Sequence, residues 1–142
     1  MRIMALDVGE KRIGVAISDP EAMFASPLTV LKAKTPDIFK QIASLVKEEQ
    51  VDLILVGMPL TLRGDVGHQA EWVQVFVQDL EGEVHVPVEV EDERLSTVEA
   101  ERYLVDMGVT REKRKARLDA VAAAVVLQSY LDRHRQSPVE SG

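Results

Sequence analysis

Residues 3–8, Ile-Met-Ala-Leu-Asp-Val, form an almost unbroken apolar run that stops at Gly9. A strand with so little polar surface is expected to be buried on both faces. Arg2–Val8 is therefore read as an inner strand, and everything else in the chain must cover it.

The rest of the sequence supplies the cover. Arg12–Ser18 reads as a second strand, and Gly-Glu-Lys between the two is the size of a hairpin turn. Asp19-Pro20 signals a turn. Leu28–Lys32 follows as a third strand. Thr35 and Pro36 predict the cap and first position of a helix to Glu49, with Ile38, Ile42, Leu45 and Val46 on one face. Val51–Val56 reads as a buried strand and Gly57–Gly67 as a loop shaped by Gly57 and Pro59. A second helix is predicted over His68–Leu80, with Trp72, Val73, Phe76, Val77 and Leu80 inward and Gly82 as its stop. Val84–Glu91 alternates valine with glutamate, and Pro87 suits an edge strand. Ser96 and Glu99 form a capping box for a helix to Met107. The basic segment 110–117 follows, then a last helix over Leu118–His134. The order predicts a mixed five-stranded α/β sheet flanked by helices, its first three strands antiparallel and its last two parallel. It is expected to be one domain over residues 1–135, with 136–142 a frayed tail.

The 142 residues contain no cysteine, which excludes a disulfide framework, a thiolate nucleophile and thiolate metal sites. No targeting or spanning segment is visible, so the cytoplasm is the expected compartment. A net charge of −7 argues against coating nucleic acid by bulk electrostatics. His68, His85 and His134 have no metal-ligand spacing.

Carboxylates stand where burial makes them costly. Asp7 interrupts the innermost strand. Asp92 and Glu93 follow the strand that ends at Glu91, where open α/β sheets hold ligands. Asp119 falls in the first turn of the last helix, beside the small residues Ala120, Ala122, Ala123 and Ala124, which permit close approach to a sheet. Taken singly, each has a plainer use, in a turn, on a solvated surface or against a helix dipole. Together they suit two hard divalent ions, Mg²⁺ or Mn²⁺, clamping a phosphodiester.

The segments Ala5–Asp19 (ALDVGEKRIGVAISD), Val56–Gly64 (VGMPLTLRG), Asp92–Ala100 (DERLSTVEA) and Leu118–Leu131 (LDAVAAAVVLQSYL) carry a resemblance. Nearly the whole chain resembles the YqgF/RuvX family of the RNase H-like superfamily, to which the RuvC Holliday-junction resolvases also belong. The resemblance implies an RNase H-like fold and a metal-dependent endonuclease. The family is described both as a Holliday-junction resolvase and as a nuclease maturing the 5′ end of the small-subunit ribosomal RNA precursor. Structured RNA or branched DNA is thus the implied partner, and symmetrical junction cleavage requires a homodimer. By motif, Asp7 is the first-strand acid, Asp119 the C-terminal helix acid, and Glu93 the middle acid, with Asp92 the alternative.

Around these acids, Gly9 admits a phosphate or metal to the backbone. Arg94 adjoins the acids and could hold a phosphate. Lys11, Arg12 and Arg63 are candidates of the same kind. Arg111, Lys113, Arg114, Lys115 and Arg117 form the strongest positive run, a candidate for backbone contact. With so uneven a charge, nucleic-acid binding is expected to be weak and metal-dependent. A non-catalytic RNA-binding assembly factor on the same fold is the other reading; an intact set of acids disfavours it.

Overall fold

A computed structural model describes residues 1–9, 11–59, 68–93 and 111–136; the side chains of 58, 59, 68–70, 92, 93, 111–119, 135 and 136 fall outside that description. The elements are β1 (Ile3–Val8), β2 (Arg12–Ser18), β3 (Ala25–Lys32), α1 (Ile38–Glu48), β4 (Leu53–Pro59), α2 (His68–Glu81), β5 (Val88–Glu93) and α3 (Arg111–Gln136). The strands form one sheet in the order β3-β2-β1-β4-β5. β1 pairs antiparallel with β2 and β2 with β3, whereas β4 runs parallel to both β1 and β5. The predicted mixed sheet is the one observed.

β1 lies in the middle, as its apolar run requires. Its residues alternate between two cores. Met4, Leu6 and Val8 join Ile13, Val15, Ile54 and Val56 beneath α1 and α2. Ile3 and Ala5 join Ala16, Leu53 and Leu55 beneath α3. α1 contributes Ile38, Ile42 and Val46 at a spacing of four, and α2 contributes Val73, Phe76, Val77 and Leu80. α3 seals its side with Ala123, Ala124, Leu127, Tyr130 and Leu131. Small alanines at the contact let the helix axis approach the sheet closely.

Several boundaries differ from the sequence reading, each for a local reason. β3 begins three residues early, at Ala25, and absorbs Pro27 beside a register shift at Val15/Ala16. The cap of α1 is Asp37, not Thr35; the Thr35 hydroxyl instead donates to the Lys32 carbonyl at 2.8 Å and closes the turn after β3. Trp72, expected inward, is 39% exposed, and only one face of its helix reaches the core. β4 starts at Leu53 and runs through Gly57 to Pro59, so these two belong to the strand rather than a loop. β5 starts only at Val88, after Pro87, and continues through Asp92 and Glu93. It is an edge strand, as Pro87 suggested. α3 begins at Arg111, which puts the basic run inside the helix, and extends to Gln136. The predicted helix from Ser96 to Met107, and residues 137–142, lie outside the described residues.

The β2–β3 turn is built on one carboxylate. Asp19 Oδ1 accepts the amides of Met23 and Phe24 at 2.7 and 2.9 Å, and Ala22 takes a left-handed φ of 57°. The Phe24 and Met23 amides hold the Asp19 carboxyl below its ordinary pKa. Its contribution is therefore present above the unfolded aspartate range and is lost as pH falls through the depressed value. Hydrogen exchange should show the Met23 and Phe24 amides losing protection in that acid window, while an Asp19→Ala chain has them unprotected throughout. Equal protection in both chains above the window would refute the cap. Behind the turn, Gln128 of α3 accepts the Ala25 amide at 2.9 Å and donates to the Met23 carbonyl at 3.1 Å, stapling the start of β3 to the helix.

Candidate active site

The register of the sheet places Asp7 in an unusual setting. Its partner on β2 is Gly14 and its partner on β4 is Gly57. Directly opposed residues on adjacent strands have Cβ atoms about 5 Å apart. With glycine on both sides, no side chain from either paired position crowds the carboxylate. Asp7 follows Ile3 and Ala5 along the face that α3 covers, and it is half-buried rather than sealed. A carboxylate at a strand's carboxyl end, flanked by two glycines, offers oxygen donors and room for a hard cation. This pair of glycines becomes legible in GVAIS and VGMP only once the register is known.

The same row continues to β5. Gly57 pairs with Glu91, and Pro59 pairs with Glu93. The pairing of β4 with β5 runs without a shift from Val88 to Glu93. Position 93 therefore shares the sheet face of Glu89 and Glu91, which is the face of Asp7, and position 92 shares that of Val88 and Val90. Both acids are the last residues of the strand, not a turn after it.

Glu91 is engaged already. It forms an ion pair with Arg133, which crosses from α3 to the edge strand. Tyr130, one turn earlier, is buried under the same patch. Burial first, and then the charges of Glu89 and Glu91, push its phenol above the ordinary tyrosine range, while Arg133 pulls the other way. His134 stacks on Tyr130 at 3.8 Å between ring centroids, and its Nδ1 lies 2.9 Å from the Tyr130 carbonyl. This histidine has a packing role.

α3 brings the remaining candidate. Position 119 lies one turn before Ala123, a residue of the stripe packed on the sheet. It stands in the third turn of the helix, not the first, so the dipole no longer accounts for an acid there. The dipole also disfavours cations in the first turns. Yet Arg111, Lys113, Arg114, Lys115 and Arg117 occupy them. Gly9 has a local duty: its amide donates to the Arg12 carbonyl at 2.9 Å, and a Cβ at Gly9 would stand 3.0 Å from that oxygen. Lys11 and Arg12 are exposed in the same hairpin. Arg63 and Arg94 lie outside the described residues. Among the described residues, no three acids or histidines gather as a metal cluster. No helix among them is long and apolar enough to cross a membrane.

Comparisons with known proteins identify the family and the fold. The family model described as "RuvX: Holliday junction resolvase" matches residues 1–133. The chain belongs to the RuvX family. By that membership it is a nuclease, a hydrolase of phosphodiester bonds. A relative from Roseiflexus sp. (strain RS-1), named "Putative pre-16S rRNA nuclease", is 50% identical over 135 residues, covering 94% of this chain and 96% of that one. One of the same name from Chloroflexus aurantiacus is 50% identical over 140 residues, covering 98% and 92%. Among solved structures, the RuvC of Thermus thermophilus superposes with a TM-score of 0.59 at 16% identity, covering 96% of this chain and 97% of that one. The Fowlpox virus resolvase with its Holliday junction DNA reaches 0.57 at 15% identity, covering 94% and 99%. These likenesses establish the RNase H-like fold for this RuvX chain.

Proposed function

We propose that this RuvX protein is a divalent-metal-dependent endonuclease that cuts structured nucleic acid, with the small-subunit ribosomal RNA precursor as its first candidate substrate and branched DNA as its second. The observation that carries the proposal is Asp7 set between Gly14 and Gly57, on the face and row that lead to Glu91 and position 93. Asp7, Glu93 and Asp119 would hold Mg²⁺ or Mn²⁺. The register favours Glu93 over Asp92, since position 93 shares the face of Asp7. When bound, such ions supply an activated water and neutralise charge on the phosphodiester.

The chain's own residues do the rest. The three carboxylates come from β1, β5 and α3, so a rigid sheet and one long helix fix their spacing. Arg94, Lys11, Arg12 and Arg63 are assigned to substrate phosphates. So are Arg114 and Lys115, whose place near the start of α3 is unfavourable for stability and is explained by a phosphate partner. Gly9, with no side chain, would let a phosphate or metal approach the backbone beside the site. The cytoplasm is the compartment that fits, and a homodimer would be required for symmetrical junction cleavage.

One cleavage panel tests the proposal. Four-way junction DNA, plain duplex DNA and the ribosomal RNA precursor are incubated with Mg²⁺, with Mn²⁺ and with chelator. Cleavage of a structured substrate in preference to duplex, lost in chelator, is expected. Binding without cleavage under either ion would instead support a non-catalytic RNA-binding assembly factor.

A further inference from the structure

A second basic surface lies beside the site, and only its Lys11 and Arg12 fall within a motif. Arg12 opens β2 and pairs directly with Lys32, the last residue of β3. Lys11 precedes Arg12 in the hairpin, and Lys34 follows Lys32 in the next turn; all four side chains are exposed. The Arg12–Lys32 pairing and the Ala33 amide, which donates to the Lys11 carbonyl at 2.9 Å, hold the two segments together, and Thr35 closes the second turn by donating its amide and hydroxyl to the Lys32 carbonyl. Glu10 also belongs to the hairpin and lies outside the described residues. Counting it, the two segments hold four positive charges and one negative, in a chain whose net charge is −7.

Like charges directly opposed across a strand pair are destabilising. Lys32 and Lys34 add exposed positive charge to this edge without helping strand pairing, and a cation-rich edge of this kind suits an anionic partner. The register fixes where that partner runs. Arg12 lies two residues before Gly14, the partner of Asp7, or about 7 Å along the strand. Even-numbered residues at this end of β2 share the face of Asp7, because Gly14 pairs with it and Ala16 belongs to the core beneath α3. Lys32 pairs with Arg12 on that face, and Leu31 beside it packs into the opposite core. β3 is the outer strand on this side of the sheet, so Lys32 and Lys34 mark its edge.

We infer that Lys11, Arg12, Lys32 and Lys34 form a track for the phosphodiester backbone, along which the substrate leaves the acid site over the β3 edge. The inference rests on the nuclease reading and extends it, by adding Lys32 and Lys34 and by giving the substrate a direction. The partner is a polyanion with regularly spaced phosphates. A lone anion or an acidic peptide would not need cations on two strands and two turns.

The test is the salt dependence of binding to four-way junction DNA, measured in chelator at low ionic strength so that nothing is cut. Each phosphate that the protein no longer neutralises lowers the slope of log affinity against log salt by about 0.9. The Lys32→Ala/Lys34→Ala double variant is expected to reduce the slope by about two and weaken binding at low salt more than tenfold. A control, Lys40→Ala/Lys47→Ala on α1, removes the same charge from the other side of the sheet and is expected to leave the slope unchanged. Equal slopes for wild type and the first double variant, equal losses in both double variants, or no measurable wild-type binding in chelator even at low salt, overturn the track. Because nothing is cleaved in this assay, its outcome is separate from that of the cleavage panel. A chain that never cuts, but whose slope falls in the first double variant alone, keeps the track and loses the nuclease. A chain that cuts, with the same slope in that variant, does the reverse.

Discussion

Asp7→Asn is expected to lower the cleavage rate by about three orders of magnitude or more while the fold survives. Metal-borne stabilisation of the transition state amounts to several kcal/mol, and each ~1.36 kcal/mol is tenfold in rate. Asparagine keeps the shape of the side chain and loses the charge and one anionic oxygen. The glycines at positions 14 and 57 leave space for the amide, and Asp7 is not sealed from water, so the substitution does not crowd the sheet and the amide stays within reach of solvent. Initial rates on the best substrate of the cleavage panel give the first measurement. The thermal midpoint and near-ultraviolet dichroism give the second, and should match the wild type within a few degrees. Undiminished cleavage by the variant, with contaminating nuclease excluded, would remove Asp7 from the site.

Leu127→Ala is expected to cause the largest loss of stability. Leu127 is fully buried between α3 and the sheet, against Ile3, Ala5, Leu53 and Leu55. Removing a buried leucine side chain costs about 2–5 kcal/mol, and the upper part of that range applies where neighbours cannot close the gap. Here the facing positions are small alanines or residues of the central strands, which cannot move inward without breaking the ladder. A domain of this size has about 5–15 kcal/mol in total, so a large share would be gone. Urea unfolding should show a lower midpoint with an unchanged slope. A loss under about 1 kcal/mol would mean that α3 does not rest on the sheet as described. The helix also carries position 119, so activity should fall at temperatures well below the wild-type midpoint.

The sheet is legible in the sequence because β1 and β4 are apolar on both faces, and because helical spacing in α1 and α2 leaves little choice of inner face. The family resemblance suggests Asp7, Asp119 and one of Glu93 and Asp92 as a set. What stays hidden is set by pairing between distant segments. Nothing local says that Gly14 and Gly57 flank Asp7, or that Lys32 faces Arg12. Pairing with β4 also decides that Asp92 and Glu93 finish a strand, where the local pattern suggests a turn. The start of α3 escapes a reading of the sequence because a dense basic run looks like a solvated loop. Lysine and arginine are good helix formers, however, and a run of them continues a helix without penalty from propensity alone.

The placement of α3 has a consequence for how the chain is made. The face of the sheet formed by Ile3, Ala5, Ala16, Leu53 and Leu55 has one described helix to cover it, and that helix begins at Arg111. A ribosome-bound chain stopped short of Arg111 carries one core beneath α1 and α2, while the other apolar face lacks the helix that covers it among the described residues. Packing of residues 3–5 against 123–131 joins segments far apart in the chain, a topology that folds late and cooperatively. The growing polypeptide is most exposed to aggregation just before α3 is complete, and a chaperone that shields broad apolar sheet would act in that interval.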